Sequence, residues 1–103
     1  MKTCYIDREH RAIADLTDYW GRGLLLTRIN VPVQFRGQGV ARRLLARVLT
    51  DADAEGITLW LEIMPSGGLS FEELKAWYER RGFRQVFPAV WRRDPSRASS
   101  SER

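Results

Sequence analysis

A chain of 103 residues has room for one modest hydrophobic core, and its 44% hydrophobic and 29% charged residues are ordinary for a globular domain. The apolar residues fall in short blocks, none near the roughly 18 that a membrane span needs, and Met1-Lys2-Thr3-Cys4 lacks the basic and apolar regions of a signal peptide. A net charge of +4 favours anionic partners, while a single cysteine (Cys4) and a single histidine (His10) exclude an internal disulfide and any usual zinc spacing.

These features point to the cytoplasm, where Cys4 reads as a small apolar strand residue rather than a nucleophile. Cys4 to Ile6 forms a short strand and Asp7-Arg8-Glu9-His10 a turn. Arg11 to Thr17 is then either the return strand of a hairpin or part of a helix over Arg8 to Tyr19. The helix would place Ile13, Leu16 and Trp20 at helical spacing, with Asp7 as N-cap. Thr17, Tyr19 and Trp20 suit strand edges and favour the hairpin. Gly21-Arg22-Gly23 breaks the chain. Leu24 to Val31 is apolar enough for a central strand, and Pro32, which cannot donate to a ladder, ends it. Gly39 to Ala54 reads as a helix with an apolar stripe of Val40, Leu44, Leu45, Val48 and Leu49, and Gly56 stands where a left-handed cap is expected.

Ile57 to Met64 is a second apolar strand, followed by a loop at Pro65-Ser66-Gly67-Gly68. Ser70 and Glu73 form a capping-box pattern that starts a helix running to about Arg81, with Leu74, Trp77 and Tyr78 on one side and Gly82 as its stop. Phe83 to Phe87 and Ala89 to Arg92 are two last strands joined near Pro88. Residues 94–103 (DPSRASSSER) have no large apolar side chain and are expected to be disordered, leaving 1–93 as one domain. Strands, helix, strand, helix, strands in that order predict an α/β fold with helices on a mixed central sheet, and a right-handed parallel crossover from Leu24 to Met64.

The segment Arg36-Gly37-Gln38-Gly39-Val40-Ala41 lies between a buried strand and an amphipathic helix. Glycines there let backbone N–H groups approach a ligand, and the helix start adds unpaired donors and a positive dipole end, which together suit phosphate. Arg36, Arg42 and Arg43 add charge. A P-loop would need Lys-Ser or Lys-Thr where Val40-Ala41 stands, and a dinucleotide-binding turn would need glycine or alanine where Arg42 stands.

Ile29 to Ala41 resembles motif A of the GCN5-related N-acetyltransferases (the GNAT family), whose hallmark Q/R-x-x-G-x-G/A is matched by Arg36 to Ala41. Ala76-Trp77-Tyr78-Glu79-Arg80-Arg81-Gly82-Phe83 is similar to motif B, a tyrosine followed shortly by Gly-Phe. Leu59 to Ile63 resembles the family's fifth strand. The likeness covers roughly Leu24 to Arg84 and implies a GNAT-like mixed sheet.

It further implies acetyl-CoA as co-substrate. Ile29, Asn30 and Val31 would pair by backbone with the pantetheine arm, and Arg36, Gly37, Gln38, Gly39, Val40, Ala41 and Arg42 would hold the pyrophosphate. Strands splayed at Val31 and Glu62 would admit the thioester. Tyr78 matches the tyrosine that protonates the leaving thiolate, and Glu62 is a candidate base for the amine. Only Met1 to Gly23 precede the strand at Leu24, where the family usually has a strand and two helices, and the asparagine at the start of the motif B helix has no clear counterpart.

The leading expectation is therefore an N-acetyltransferase acting on a primary amine of a small molecule, peptide or protein, with no metal. The alternative is a non-catalytic acyl-CoA-binding or protein-interaction module. Nucleic-acid binding through Arg80, Arg81, Arg84, Arg92 and Arg93 is the weakest reading, because the accompanying aromatics occupy core positions equally well. Exposed edge strands leave room for a homodimer.

Overall fold

The computed structural model describes residues 1–64 and 68–96. The elements are β1 (Cys4–Asp7), β2 (Ala12–Asp18), β3 (Leu24–Asn30), a 3-10 turn at Val33–Phe35, α1 (Val40–Glu55), β4 (Leu59–Glu62), α2 (Phe71–Glu79), β5 (Arg84–Phe87) and β6 (Val90–Arg93). Most of the expected loop at Pro65 to Gly68 lies outside the described residues, as does the tail from residue 97 onward. The strands form one sheet in the order β1-β2-β3-β4-β6-β5, parallel between β3 and β4 and antiparallel elsewhere.

The N-terminal stretch is a hairpin, and the competing helix does not form. Ala12, Ala14 and Leu16 are buried in β2 while Ile13 and Asp15 between them are only half-buried, a period of two that fits a strand. Asp7 closes the turn by accepting the His10 backbone N–H at 3.1 Å. Trp20 is not at a strand edge; it sits in the following turn at φ 56° and is exposed. Cys4 lies in β1 as expected, yet it is exposed rather than packed.

In α1, Val40, Leu44, Leu45, Val48 and Ala52 are buried, the spacing of one helix face. Each buried leucine or valine contributes roughly 1.5–3 kcal/mol over its exposed state. They pack with Tyr5, Ala14, Leu26, Leu59, Leu61 and Trp91 of the sheet and with Leu74 of α2, so both helices cover the same sheet face. The opposite face, carrying Ile13, Leu25, Trp60 and Val90, bears no helix among the described residues. Trp60 is buried there by smaller means. Tyr19 stacks on it at 4.8 Å, the Arg92 guanidinium lies 5.7 Å from its ring centre, and its indole N–H donates to the Arg22 carbonyl at 3.1 Å.

The C-terminal strand is tied to α1. Arg93 donates twice to the Asp53 carboxylate, at 2.8 and 3.1 Å, and the Ser96 backbone N–H adds a third bond at 2.8 Å. The first residues beyond Arg93 are thus held against the helix.

Candidate active site

The site begins where the parallel strand pair stops. β3 and β4 pair only at Leu24 with Leu59 and at Leu25 with Trp60, although β3 continues to Asn30 and β4 to Glu62. On its other side β3 carries an irregularity: Asp15 pairs with Arg28 and Leu16 with Leu26, which leaves Thr27 as an extra residue. Such a bulge bends a strand and increases its twist. Arg28 anchors the bent stretch through two bonds to Asp15 Oδ2, at 3.0 and 2.6 Å. β3 therefore leaves β4, and among the described residues its inner edge beyond Leu25 has backbone groups without a strand partner.

Pro32 and the 3-10 turn then carry the chain across the end of the sheet. Arg36 is extended, with its Nε donating to the Val31 carbonyl at 3.1 Å. Gly37 and Gly39 follow at φ 83° and 77°, values that side-chain-bearing residues rarely adopt. Gly39 is the N-cap of α1 and offers no side-chain acceptor to the first turn. The contrast with α2 is chemical. There Ser70 accepts from the Glu73 N–H while the Glu73 carboxylate accepts from the Ser70 N–H, so that helix satisfies its own start. The start of α1 leaves its donors and positive dipole end free for an anion.

Cations surround this start. A Cβ on Gly39 would stand 3.1 Å from Arg43 Nη1 and 3.4 Å from Arg42 Nη2, whereas one on Gly37 would meet nothing within 4 Å. The loop is open on one side and walled by guanidinium groups on the other, which fits a phosphate-bearing ligand.

Strand end, loop and α2 enclose a cleft of about 530 Å³, within the usual size of small-molecule sites. Ile29, Asn30, Val31, Arg36, Gly37, Gly39, Val40, Ala41 and Arg42 all line it, as does Tyr78 from α2. Gln38 does not. Its side chain turns back to the Gln34 carbonyl at 3.4 Å, and its own carbonyl accepts from Arg43 at 3.0 Å. The sequence reading did not assign Phe35, Leu69, Leu74 and Trp77 to the site, yet they complete the wall. The signal for two of them was present: Leu74 and Trp77 share a helix side with Tyr78.

The Tyr78 ring meets Trp77 edge-on at 5.0 Å and Phe83 at 5.6 Å. Burial pushes its phenol up to about 12, opposed by the nearby Arg81 charge. Glu62 is elsewhere. The alternation of β4 sends Leu59 and Leu61 toward the helices and Trp60 and Glu62 toward the bare face, so the exposed Glu62 does not line the cleft. His10 packs edge-on against Phe35 at 5.1 Å, with its Nδ1 3.0 Å from Asp7 Oδ2, behind the cleft wall rather than in it.

A parallel strand pair that splays beside an uncapped, glycine-led helix, on a sheet of this order, defines an α/β acyltransferase-type domain. The chain belongs to the GNAT family: the model described as "Acetyltransferase (GNAT) domain" matches residues 3–85. No curated protein matches at a significant level. Among solved structures, the chain is similar to a GNAT-family acetyltransferase from Staphylococcus aureus Mu50, at 15% identity and TM-score 0.67 over 88% of this chain and 65% of that one. It is also similar to the ribosomal-protein-S18-alanine N-acetyltransferase from Escherichia coli, at 24% identity and TM-score 0.66 over 82% and 60%. The anti-CRISPR protein AcrVA5 matches at 19% identity and TM-score 0.64 over 79% of this chain and 87% of that one. This chain thus spans less than two thirds of the two acetyltransferases but most of AcrVA5.

Proposed function

We propose that the protein transfers an acetyl group from acetyl-CoA to a primary amine by direct attack. The observation that carries this is the meeting, in one cleft, of the splayed end of β3, the uncapped start of α1 and the Tyr78 side chain. The N–H groups from Gly37 to Arg42 hold the pyrophosphate, and the free edge of β3 from Ile29 to Val31 pairs with the pantetheine arm as an added strand would. Backbone N–H groups of that edge also face developing charge on the acyl oxygen.

The thioester supplies the acyl group; a C–N bond forms as the C–S bond breaks. Tyr78 serves the sulfur. A phenol near 12 stays protonated at neutral pH, and it donates a hydrogen bond as negative charge grows on the departing thiolate. Complete proton transfer to a thiolate, whose acid has a pKa of roughly 8.5, is uphill, so the hydrogen bond precedes the handover. Glu62 is assigned to the amine, directly or through water. It stands across the sheet from the cofactor cleft, so the amine enters from the bare face through the splay. A face without a helical cover suits an amine carried on a peptide or protein.

The alternative, an acyl-CoA-binding or interaction module without turnover, draws support from Glu62 lying outside the cleft. Calorimetric titration of acetyl-CoA, with a Gly37→Glu, Gly39→Glu variant alongside, tests the cofactor site. Micromolar binding lost in the variant supports it, and absence of binding to the unaltered protein rejects the enzyme and the acyl-CoA-binding module and leaves a protein-interaction module, which partner pull-downs then test. Acetylation of an amine panel, measured after binding is found, separates enzyme from module.

A further inference from the structure

The bare face of the sheet changes character next to the splay. Glu62 stands there with the broken β3–β4 ladder on one side and β6 on the other. It is directly opposite Val90 of β6, and Val90 is directly opposite Phe87 of β5. Directly paired residues point to the same side of a sheet, with Cβ atoms about 4.5–5.5 Å apart. Three adjacent strands thus set a carboxylate, a half-buried valine and a phenylalanine that is 61% exposed in one row, which runs outward from the splay.

Charge and exposure together say what this row meets. The other charged side chains that the strands place on this face are paired: Arg28 with Asp15, and Arg84 and Arg92 with Asp94. Among the described residues Glu62 takes part in no ion pair. The position open to a cation on this face is therefore Glu62, and the surface beside it, at Val90 and Phe87, is apolar and gains by being covered. A ligand that answers both carries a positive charge next to a bulky apolar group.

The splay sets the reach. The cofactor cleft lies among the helices on the other side of the sheet, so an amine docked at Glu62 has to pass through the gap. Lysine carries its amine on a flexible four-carbon stem and makes that passage with its backbone left on the bare face. A chain-terminal amine would draw backbone N–H and C=O groups into the gap, away from water.

Resting on the acetyl-transfer reading above, we infer that Val90 and Phe87 dock a bulky apolar side chain next to the acceptor amine, so that the substrate is a protein segment with lysine beside leucine or an aromatic residue. Glu62 receives the lysine ammonium. Phe87 is a specificity-determining residue in this scheme and touches none of the reacting atoms.

Three short peptides test this. Two have blocked ends and a central lysine, flanked in one by leucine and phenylalanine and in the other by serine on both sides. The third keeps the apolar flanks, has alanine for lysine and leaves its N-terminal amine unblocked. Each is titrated by calorimetry and assayed for acetyl transfer with the unaltered protein, Phe87→Ser and Ile6→Ser. The last variant removes an exposed apolar side chain at the opposite edge of the sheet. The unaltered protein and Ile6→Ser are expected to bind the apolar-flanked lysine peptide about tenfold more tightly than the serine-flanked one, the scale of burying one apolar side chain, and to acetylate it with a correspondingly higher kcat/KM. Phe87→Ser should bring the two lysine peptides within about twofold of each other while acetyl-CoA affinity is kept. Equal binding of the two by the unaltered protein, no binding of either, a preference that survives in Phe87→Ser, or acetylation of the third peptide alone would overturn the inference. So would a dimer in sedimentation that Phe87→Ser dissociates, since the row would then be a contact between copies. The titration with acetyl-CoA decides the cofactor site separately: each of these results leaves it standing, and failure of acetyl-CoA to bind the unaltered protein overturns both.

Discussion

Arg43 reaches back along α1 to the residue before its cap: its guanidinium donates to the Gln38 carbonyl at 3.0 Å and passes 3.1 Å from the point where a Cβ on Gly39 would stand. The glycine is therefore held by two constraints at once, its left-handed backbone and the cation packed over it. A side chain at Gly39 displaces the guanidinium groups that face the anion.

Gly39→Ala is expected to cost about 1–2 kcal/mol of stability from the left-handed conformation alone, and more than tenfold in acetyl-CoA affinity. Gly37→Ala meets only the conformational cost, because open space surrounds it. Its affinity should fall less. Chemical denaturation and calorimetry on the pair check the order, and equal losses in affinity would show that the Arg43 wall is irrelevant.

Tyr78→Phe removes the hydroxyl while keeping the ring contacts to Trp77 and Phe83. Turnover is expected to fall about ten- to a hundredfold with acetyl-CoA affinity nearly unchanged. Stability gives an independent reading. The folded phenol titrates near 12 against about 10 in the unfolded chain. Its contribution is thus complete below pH 10 and lost as pH rises toward 12. Tyr5 acts in the same direction, through burial and then the Asp51 carboxylate that accepts its hydroxyl at 2.6 Å. Unfolding midpoints from pH 9 to 11.5 should fall less steeply in Tyr78→Phe than in the unaltered protein.

The Asp53–Arg93 pair tests how firmly β6 is tied to α1. The Arg93 hydrogen bonds, with help from the Ser96 N–H, hold the Asp53 carboxyl below its ordinary value against some desolvation. A depressed carboxylate stabilises above its unfolded value of about 3.9 and loses that contribution as pH falls through the folded value. Asp53→Asn should therefore cost about 1–2 kcal/mol at pH 7 and much less near pH 3. Urea unfolding at both values measures the difference, and an equal deficit at the two would mean the side chain acts through packing.

Local chemistry made much of this architecture legible in advance. The capping box at Ser70, the apolar stripe of α1 and the Gly37–Gly39 loop each announce themselves within a few residues, and the structure bears out all three, with Leu49 of the stripe only partly buried and Ala52 joining it. What the sequence obscured depends on long-range geometry. Thr27 looks like any strand residue, and its bulge exists only through the register of β2. The face of Glu62 was hidden because Leu59, Trp60 and Leu61 are all buried. A tryptophan covered by Tyr19 and Arg92 masks the alternation that would have set Glu62 apart from the cleft-lining residues.

That placement of Glu62 yields the sharpest test of the proposed chemistry. Its strand ends where the ladder with β3 is already broken, and its side chain shares the bare face with Trp60 while the cofactor cleft opens among the helices. If the amine arrives from the bare face, Glu62 can take its proton without touching acetyl-CoA. Glu62→Gln should then lower turnover by about a hundredfold or more and leave acetyl-CoA affinity within about twofold. A variant with unchanged turnover would return Glu62 to the role of a solvated strand-end carboxylate and leave the amine to lose its proton to water. A variant that loses acetyl-CoA binding as well would place Glu62 on the cofactor side of the sheet, against the alternation of β4.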